Sequence, residues 1–299
     1  MNVTTAAVFP RRLTLVTACV LLAAAGSTRA QVVPVPANPQ IGSSNPVTAA
    51  PPVPRPHTHP CVVPLFQNLA FADFTPKVFG YAPPASCPGP WAKVVFTADF
   101  TVTAGRQFDR TAAFYLGRAS IYYGTTAEPR ATLSPSWHVE RDVTDLSAIF
   151  TSAQSGEANI GSFVGAVNGV TYNGIIYANA ALEFYPASAR EPARPVPDLV
   201  VPVNGSGGDA GTLTSTASQI TQTLNLPRNT ERVYLDVIAQ SQSNDEFWYF
   251  CVPNDQTTHL ESCGNTAFRE TQVTIDGWLR CWSTSACSTA TSCTGCRPR

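Results

Sequence analysis

Between Lys93 and Thr103 the chain alternates with almost no interruption. Val94, Phe96, Ala98, Phe100 and Val102 fall on one side of an extended strand, and Val95, Thr97, Asp99, Thr101 and Thr103 on the other. That pattern predicts a half-buried antiparallel strand. Further short strands are predicted at Thr111 to Tyr123, Trp137 to Val143, Asn159 to Gly165, Val170 to Ile176 and Tyr177 to Tyr185, separated by Gly, Pro and Asn. The single helical signal is Thr144 to Phe150, where Thr144 or Asp145 is placed to cap a turn carrying Leu146, Ile149 and Phe150. Pro186 to Asp198 is a proline-rich break. After it strands are predicted at Leu199 to Val203, Gln219 to Leu226, Arg232 to Ala239, Glu246 to Val252 and Ala267 to Asp276. The spacing predicts an all-β chain, with a sandwich or jelly roll over residues 61–189 and the start of a second over 198–277. Two such domains leave a cleft between them in which a ligand can bind.

The flanks have different textures. Arg11 and Arg12 precede an apolar run from Leu13 to Ala25, and small residues close at Ala30, so residues 1–30 read as a secretory signal peptide. The run is too short to span a bilayer, which takes about 18–20 apolar residues. The mature protein is expected to be secreted, extracellular and free of the membrane. Residues 31–60 are proline-rich and read as a linker, with His57 and His59 as solvated linker histidines rather than metal ligands.

Composition supports the same compartment. Hydrophobic residues make up 44% and charged residues only 13% of the chain, with 26 Pro and 19 Gly, a balance suited to a secreted β protein. With 19 Lys plus Arg against 20 Asp plus Glu there is no basic stripe, which argues against a nucleic-acid partner. Of the nine cysteines, Cys19 leaves with the signal, and Cys61, Cys87, Cys251 and Cys263 are disulfide candidates. Cys251 and Cys263 bracket a short loop whose closure would contribute about 3 kcal/mol through lost chain entropy. Cys281, Cys287, Cys293 and Cys296 lie in the tail, 278–299. From Arg280 onward that tail has no Val, Ile, Leu, Phe or Tyr, and a shifted reading frame or splice junction near Trp278 would account for the break. Such a tail would cut the second sandwich short. Asn204-Gly205-Ser206 is a glycosylation sequon.

Gly105-Arg106-Gln107-Phe108-Asp109-Arg110 puts one carboxylate and two guanidinium groups at a strand entrance. On residues alone Asp109 and Arg110 read as a structural pair, and regular alternation would send them to opposite faces unless the chain bulges or turns after Gly105. His138, Glu140 and Asp142 form the polar face of the Trp137 strand and read as solvated.

The stretch from Cys61 to Asp276 resembles the N-terminal part of the secreted peptide-N-glycosidase A family. The resemblance is carried by the Cys-Val-Val-Pro-Leu opening, Phe108-Asp109-Arg110, Asp142-Val143-Thr144-Asp145-Leu146, Asp245-Glu246-Phe247-Trp248-Tyr249, and Gly264 to Glu270 leading into Val-Thr-Ile-Asp-Gly. A secreted bacterial glycoamidase of two jelly-roll-like domains is a more distant likeness. The resemblance implies two jelly-roll-like β-sandwich domains and an amide hydrolase that releases N-glycans from glycopeptides or glycoproteins, without metal or cofactor. It makes Asp109 the water-activating base, with Arg110 beside it on the substrate. It leaves the second carboxylate open between Glu246 and Glu270. Asp245, Trp248, Asn265 and Arg269 are implied substrate contacts; Asn265 stands where the bacterial likeness has a glutamate. The alternative reading is a non-catalytic glycan-binding sandwich or an inactive, shortened member of the family.

Overall fold

The computed structural model of the chain describes residues 52–203, 211–241, 245–260 and 263–276, together with the backbone of strands at 278–284 and 291–292. The signal peptide, most of the linker, the sequon at Asn204 and the cysteines at 287, 293 and 296 lie outside the described residues.

Ten strands are laid down between residues 61 and 186: β1 (Cys61–Phe71), β2 (Lys77–Tyr81), β3 (Trp91–Val102), β4 (Thr111–Leu116), β5 (Ala119–Thr125), β6 (Ser136–Asp142), β7 (Gln154–Ile160), β8 (Gly165–Val167), β9 (Val170–Tyr172) and β10 (Ile176–Pro186). β1, β10, β3 and β6 form one four-stranded antiparallel sheet in that order, and β2, β7, β4 and β5 form another. Val94, Phe96, Ala98, Phe100 and Val102 of β3 all turn inward and are at most 1% exposed, as the alternation predicts. Ala178, Ala180, Leu182 and Phe184 of β10 lie beside them, and Phe114, Ile121, Ala158 and Ile160 come from the other sheet to complete the core. Phe114 is the hub: its ring meets Phe66, Phe71, Phe96, Phe100 and Tyr122 at centroid distances of 5.3–6.4 Å. A disulfide joins Cys61, at the start of β1, to Cys87 ahead of β3.

Several predicted elements are redrawn. The single strand expected from Thr111 to Tyr123 is a hairpin, because Gly117 and Arg118 both take positive φ (53° and 69°) and close a two-residue turn whose twist matches the flanking strands. Asn168 and Gly169 do the same between β8 and β9. The helical signal at Thr144 becomes a 3-10 helix, Thr144–Thr151. Its cap is not Thr144 or Asp145. Asp142 Oδ1 accepts from the Thr144 N–H at 3.1 Å and from the Thr144 hydroxyl, while the Val94 N–H donates to Thr144 Oγ1 at 3.0 Å. The Asp142 motif therefore fastens the helix to β3. Burial opposes the Asp142 charge, but Thr144, Lys93 and Arg194 outweigh it and hold the carboxyl below its ordinary range.

The outer face of the first sheet is partnered rather than solvated. Arg55, from the end of the proline-rich stretch, lies between Glu140 and Glu183, with Nη2 at 2.9 Å from Glu140 Oε1 and 3.2 Å from Glu183 Oε2. The Val53 and His57 N–H groups donate to Glu140 and Glu191 at 2.6 and 3.0 Å. His138 bridges Asp99 (Nδ1, 2.8 Å) and Glu140 (Nε2, 3.2 Å). Partial burial works against an imidazolium, yet the two carboxylates prevail and His138 is raised above its ordinary pKa. A raised folded-state value means that the pairing stabilises fully below the unfolded value of about 6.5 and fades as pH rises through the folded value. Wild type is thus expected to exceed His138→Gln in urea stability at pH 5.5 by no more than about 1 kcal/mol, as for exposed pairs. By pH 9 the gap should close, and an equal gap at both pH values would refute the assignment.

After residue 198 the all-β character thins to short ladders. β11 (Asp236–Val237) pairs with the backbone of β14 (Thr291–Ser292), and β12 (Glu270–Ile275) with β13 (Trp278–Thr284), the latter pair joined by a turn at Asp276 with φ 52°. The strands predicted at Leu199–Val203 and Gln219–Leu226 are not formed, and that at Arg232–Ala239 shrinks to β11. Alternation is present there, but no facing layer receives it. Leu199, Val201, Ile220, Leu224 and Leu226 stay 42–56% exposed, and a strand without a partner leaves its backbone groups unpaired. The predicted strand Glu246–Val252 is instead a 3-10 turn at Trp248–Phe250, bent by N–H bonds from Phe250 to Phe247 O and from Cys251 to Trp248 O. The Cys251–Cys263 disulfide closes behind it.

Candidate functional site

Residues 103–110 leave the regular ladder at the end of β3 and re-enter it at β4, so strand alternation does not govern Asp109 and Arg110. Gly105 makes the departure possible. It sits at φ 144°, its N–H donates to Arg130 O at 2.9 Å, and a Cβ there would fall 2.4 Å from Asn173 Oδ1. That same oxygen accepts from the Arg106 N–H at 2.8 Å, and Arg106 O accepts from the N–H groups of both Asn173 and Gly174 at 3.0 Å.

Gln107 locks the loop from inside. Only 4% exposed, it donates through Nε2 to Phe163 O (2.9 Å) and Gly174 O (3.1 Å) and accepts through Oε1 from the Phe108 N–H (3.1 Å) and Arg110 Nη2 (2.8 Å). All its hydrogen-bonding capacity is spent on orienting neighbours. Gln107→Ala would strand two carbonyls and a buried N–H and should destabilise the protein by about 1–3 kcal/mol. Urea denaturation of the two proteins measures this, and a loss indistinguishable from zero would refute it.

Rings and guanidinium groups surround the loop. Phe108 packs on Tyr172 (5.1 Å), Tyr172 on Phe163 (4.9 Å) and Phe163 on Phe74 (6.2 Å). The Arg110 guanidinium lies over Phe108 and Phe163 at 5.3 and 5.9 Å, and Arg106 over Tyr172 at 5.6 Å. Phe74 and Phe108 remain 64% and 44% exposed, so the strip of rings is open to solvent at both ends.

Asp109 lies close enough to Glu128 for the two carboxyl groups to act on each other. Desolvation first, then the Glu128 charge, push the Asp109 carboxyl above its ordinary range, although the residue is exposed by surface area and solvent screens both effects. Burial likewise weighs against the Arg110 charge and lowers it, with Asp109 and Tyr172 acting in its favour. Arg110 Nε is buried and has no partner among the described residues, a donor held ready beside the carboxylate. Glu128 Oε2 also pairs with Arg130 Nη1 at 3.0 Å.

The remaining sequence candidates form a separate group after residue 244. Arg269 grips Asp245 through Nε (2.9 and 2.8 Å to the two oxygens) and Nη2, and its Nη1 donates to Thr266 O and Phe268 O at 3.0 and 2.7 Å. The Arg269 hydrogen bond, ahead of the burial that opposes it, holds Asp245 below its ordinary range. Trp248 lies 5.9 Å from the same guanidinium. Asn265, at φ 67°, is exposed and donates its N–H to Asn254 Oδ1 at 2.8 Å. Glu246 is exposed, and Glu270 on β12 accepts from Gln272 Nε2 at 3.1 Å. Among the described residues no hydrogen bond, ion pair or ring contact joins this group to Asp109 or Arg110. Nor is any set of three or more His, Cys, Asp or Glu arranged there to hold a metal.

Gln107, Glu128, Phe163 and Tyr172 were not among the sequence candidates. The geometry can polarise a neutral carbonyl with a guanidinium, accept a proton on a carboxylate of raised basicity, and stack a flat, weakly polar ligand on exposed rings.

Residues 51–284 match the family described as Peptide N-acetyl-beta-D-glucosaminyl asparaginase amidase A. Over 248 residues the chain is 29% identical to Peptide-N4-(N-acetyl-beta-glucosaminyl)asparagine amidase A of Prunus dulcis, an alignment covering 76% of this chain and 42% of that relative.

Proposed function

Because the chain belongs to the peptide N-acetyl-beta-D-glucosaminyl asparaginase amidase A family, we propose that it is a secreted glycoamidase. The reaction is hydrolysis of the amide between an asparagine side chain and N-acetylglucosamine, which releases N-glycans from glycopeptides or glycoproteins. One observation carries the reading. Within the family-matched span, Asp109 has its carboxyl raised by desolvation and by Glu128, and it adjoins a guanidinium with an unused buried donor.

Amide hydrolysis needs a water nucleophile, a carboxylate to orient and deprotonate it, and donors for the tetrahedral oxyanion. Asp109 supplies the carboxylate and Arg110 the donors. The open ring strip from Phe108 to Phe74 gives a sugar a surface to stack on. Glu246 and Glu270 stand as second carboxylates, with Asp245, Trp248, Asn265 and Arg269 on the substrate side of the later segment. The chain spans 42% of its relative's length. That no contact among the described residues joins Glu246 or Glu270 to Asp109 favours a second reading, a non-catalytic glycan-binding sandwich.

Incubating the secreted protein with a dansylated N-glycopeptide separates the two. Conversion of Asn to Asp on the peptide, seen by mass spectrometry, is the expected result. A single sugar left on Asn would mean an endoglycosidase, and unchanged glycopeptide held on the protein would mean binding alone.

A further inference from the structure

Asp109 and Glu128 are brought together by the backbone. The β4–β5 hairpin sets Thr111 opposite Thr125, and one step outward the Arg110 N–H donates to Thr126 Oγ1 (2.9 Å) while the Thr126 N–H donates to Arg110 O (2.8 Å). Further out the Gly105 N–H donates to Arg130 O at 2.9 Å. These ties bracket both acids, so Glu128 is aimed at Asp109 by the same hairpin that carries the loop. Arg130 Nη1 holds Glu128 Oε2 at 3.0 Å.

We propose that Glu128 is the positioning residue for Asp109: anchored by Arg130, it orients the Asp109 carboxylate and accepts its hydrogen bond once Asp109 has taken a proton from the attacking water. This rests on the glycoamidase reading. The step balances within the site. Water oxygen bonds to the asparagine side-chain carbonyl carbon and its proton passes to Asp109. The carbon–nitrogen bond then breaks, the leaving nitrogen receives that proton from Asp109, and the products are an aspartic acid side chain, which gives up the water's second proton to solvent to become aspartate, and a 1-amino sugar. Two like charges in contact disfavour the resting state, and proton uptake by Asp109 relieves them, so Asp109 is a stronger base than an isolated aspartate. The charged and titratable groups facing the pair are Arg110 on its own loop, Arg130 beside Glu128, and Tyr172 with Arg106 across the ring cluster.

The test is the pH dependence of glycopeptide cleavage by the full secreted chain. Glu128→Gln keeps an acceptor but removes the charge. The acid limb of kcat/KM should move to lower pH by about one unit and the plateau fall by about tenfold. Glu128→Asp should restore the limb. In the 13C spectrum of carboxyl-labelled protein, Asp109 of Glu128→Gln should likewise titrate at lower pH than in wild type. An unshifted limb with wild-type rate in Glu128→Gln overturns the proposal and leaves the glycoamidase reading standing. A loss of rate with no shift of either the limb or the carbon resonance also overturns it, reducing Glu128 to a structural residue. Absence of cleavage by wild type overturns both.

Discussion

Asp109→Asn is expected to lower glycan release by about 100- to 10,000-fold, the contribution of a positioned general base, while glycopeptide binding persists. The asparagine fills the same space and can still accept from water, but it cannot take the proton. The substitution also removes the repulsion that raises Asp109. For an acid raised by folding, the native state binds the proton more tightly than the unfolded chain, so stability falls as pH rises through that window. Above it the wild type carries the full penalty and Asp109→Asn carries none. The variant should therefore melt no lower than wild type at neutral pH while turning over almost nothing. Full activity in a folded Asp109→Asn would remove Asp109 from the mechanism.

The largest effect on stability is expected at the hub of the core. Phe114 is wholly buried and meets five other rings, from Phe66, Phe71, Phe96, Phe100 and Tyr122, drawn from both sheets. Phe114→Ala deletes the ring and leaves a cavity that aromatic neighbours, themselves fixed on strands, cannot collapse to fill. The cost is about 3–5 kcal/mol. Urea or guanidinium denaturation with an unchanged slope would give it directly. A loss under about 1 kcal/mol would mean that the two sheets close over the gap.

Much of the first sandwich is legible from period-two alternation, because its strands have one buried face and one wet face. β3 from Lys93 onward and β10 follow that rule except at Val95 and Tyr185, which are buried on the outer face. The hairpin at Gly117-Arg118 escaped because a run of aromatics on both sides reads as one strand when the only interruption is a glycine and an arginine. Missing that turn had a consequence at the site. Without it nothing in the sequence sets residues 126–130 beside residues 105–110, and Glu128 stays one acid among many in a loop. Gln107 escaped for a different reason, since a buried glutamine satisfied by four neighbours leaves no mark on composition or spacing. In the later segment alternation was present, yet only Ala267 to Asp276 kept a strand of any length, because pattern specifies which side chains share a face but not whether another strand lies within reach. The pairing of Asp245 with Arg269 across an intervening disulfide loop was likewise beyond any local pattern.

The docking of the proline-rich stretch limits how this protein can diverge. Val53 and His57 are held through backbone N–H groups, which any residue but proline supplies, so their side chains are free to drift. Arg55 is not. Its guanidinium is the counter-charge shared by Glu140 and Glu183, and Glu140 in turn engages His138. Replacing it with a neutral residue would take from two half-buried acids, on the strands that flank β3, the guanidinium they share, a burden that paired changes at 140 or 183 could lift. Within a stretch that otherwise looks unconstrained, substitution should therefore be correlated at position 55 with those two sites and nearly random elsewhere.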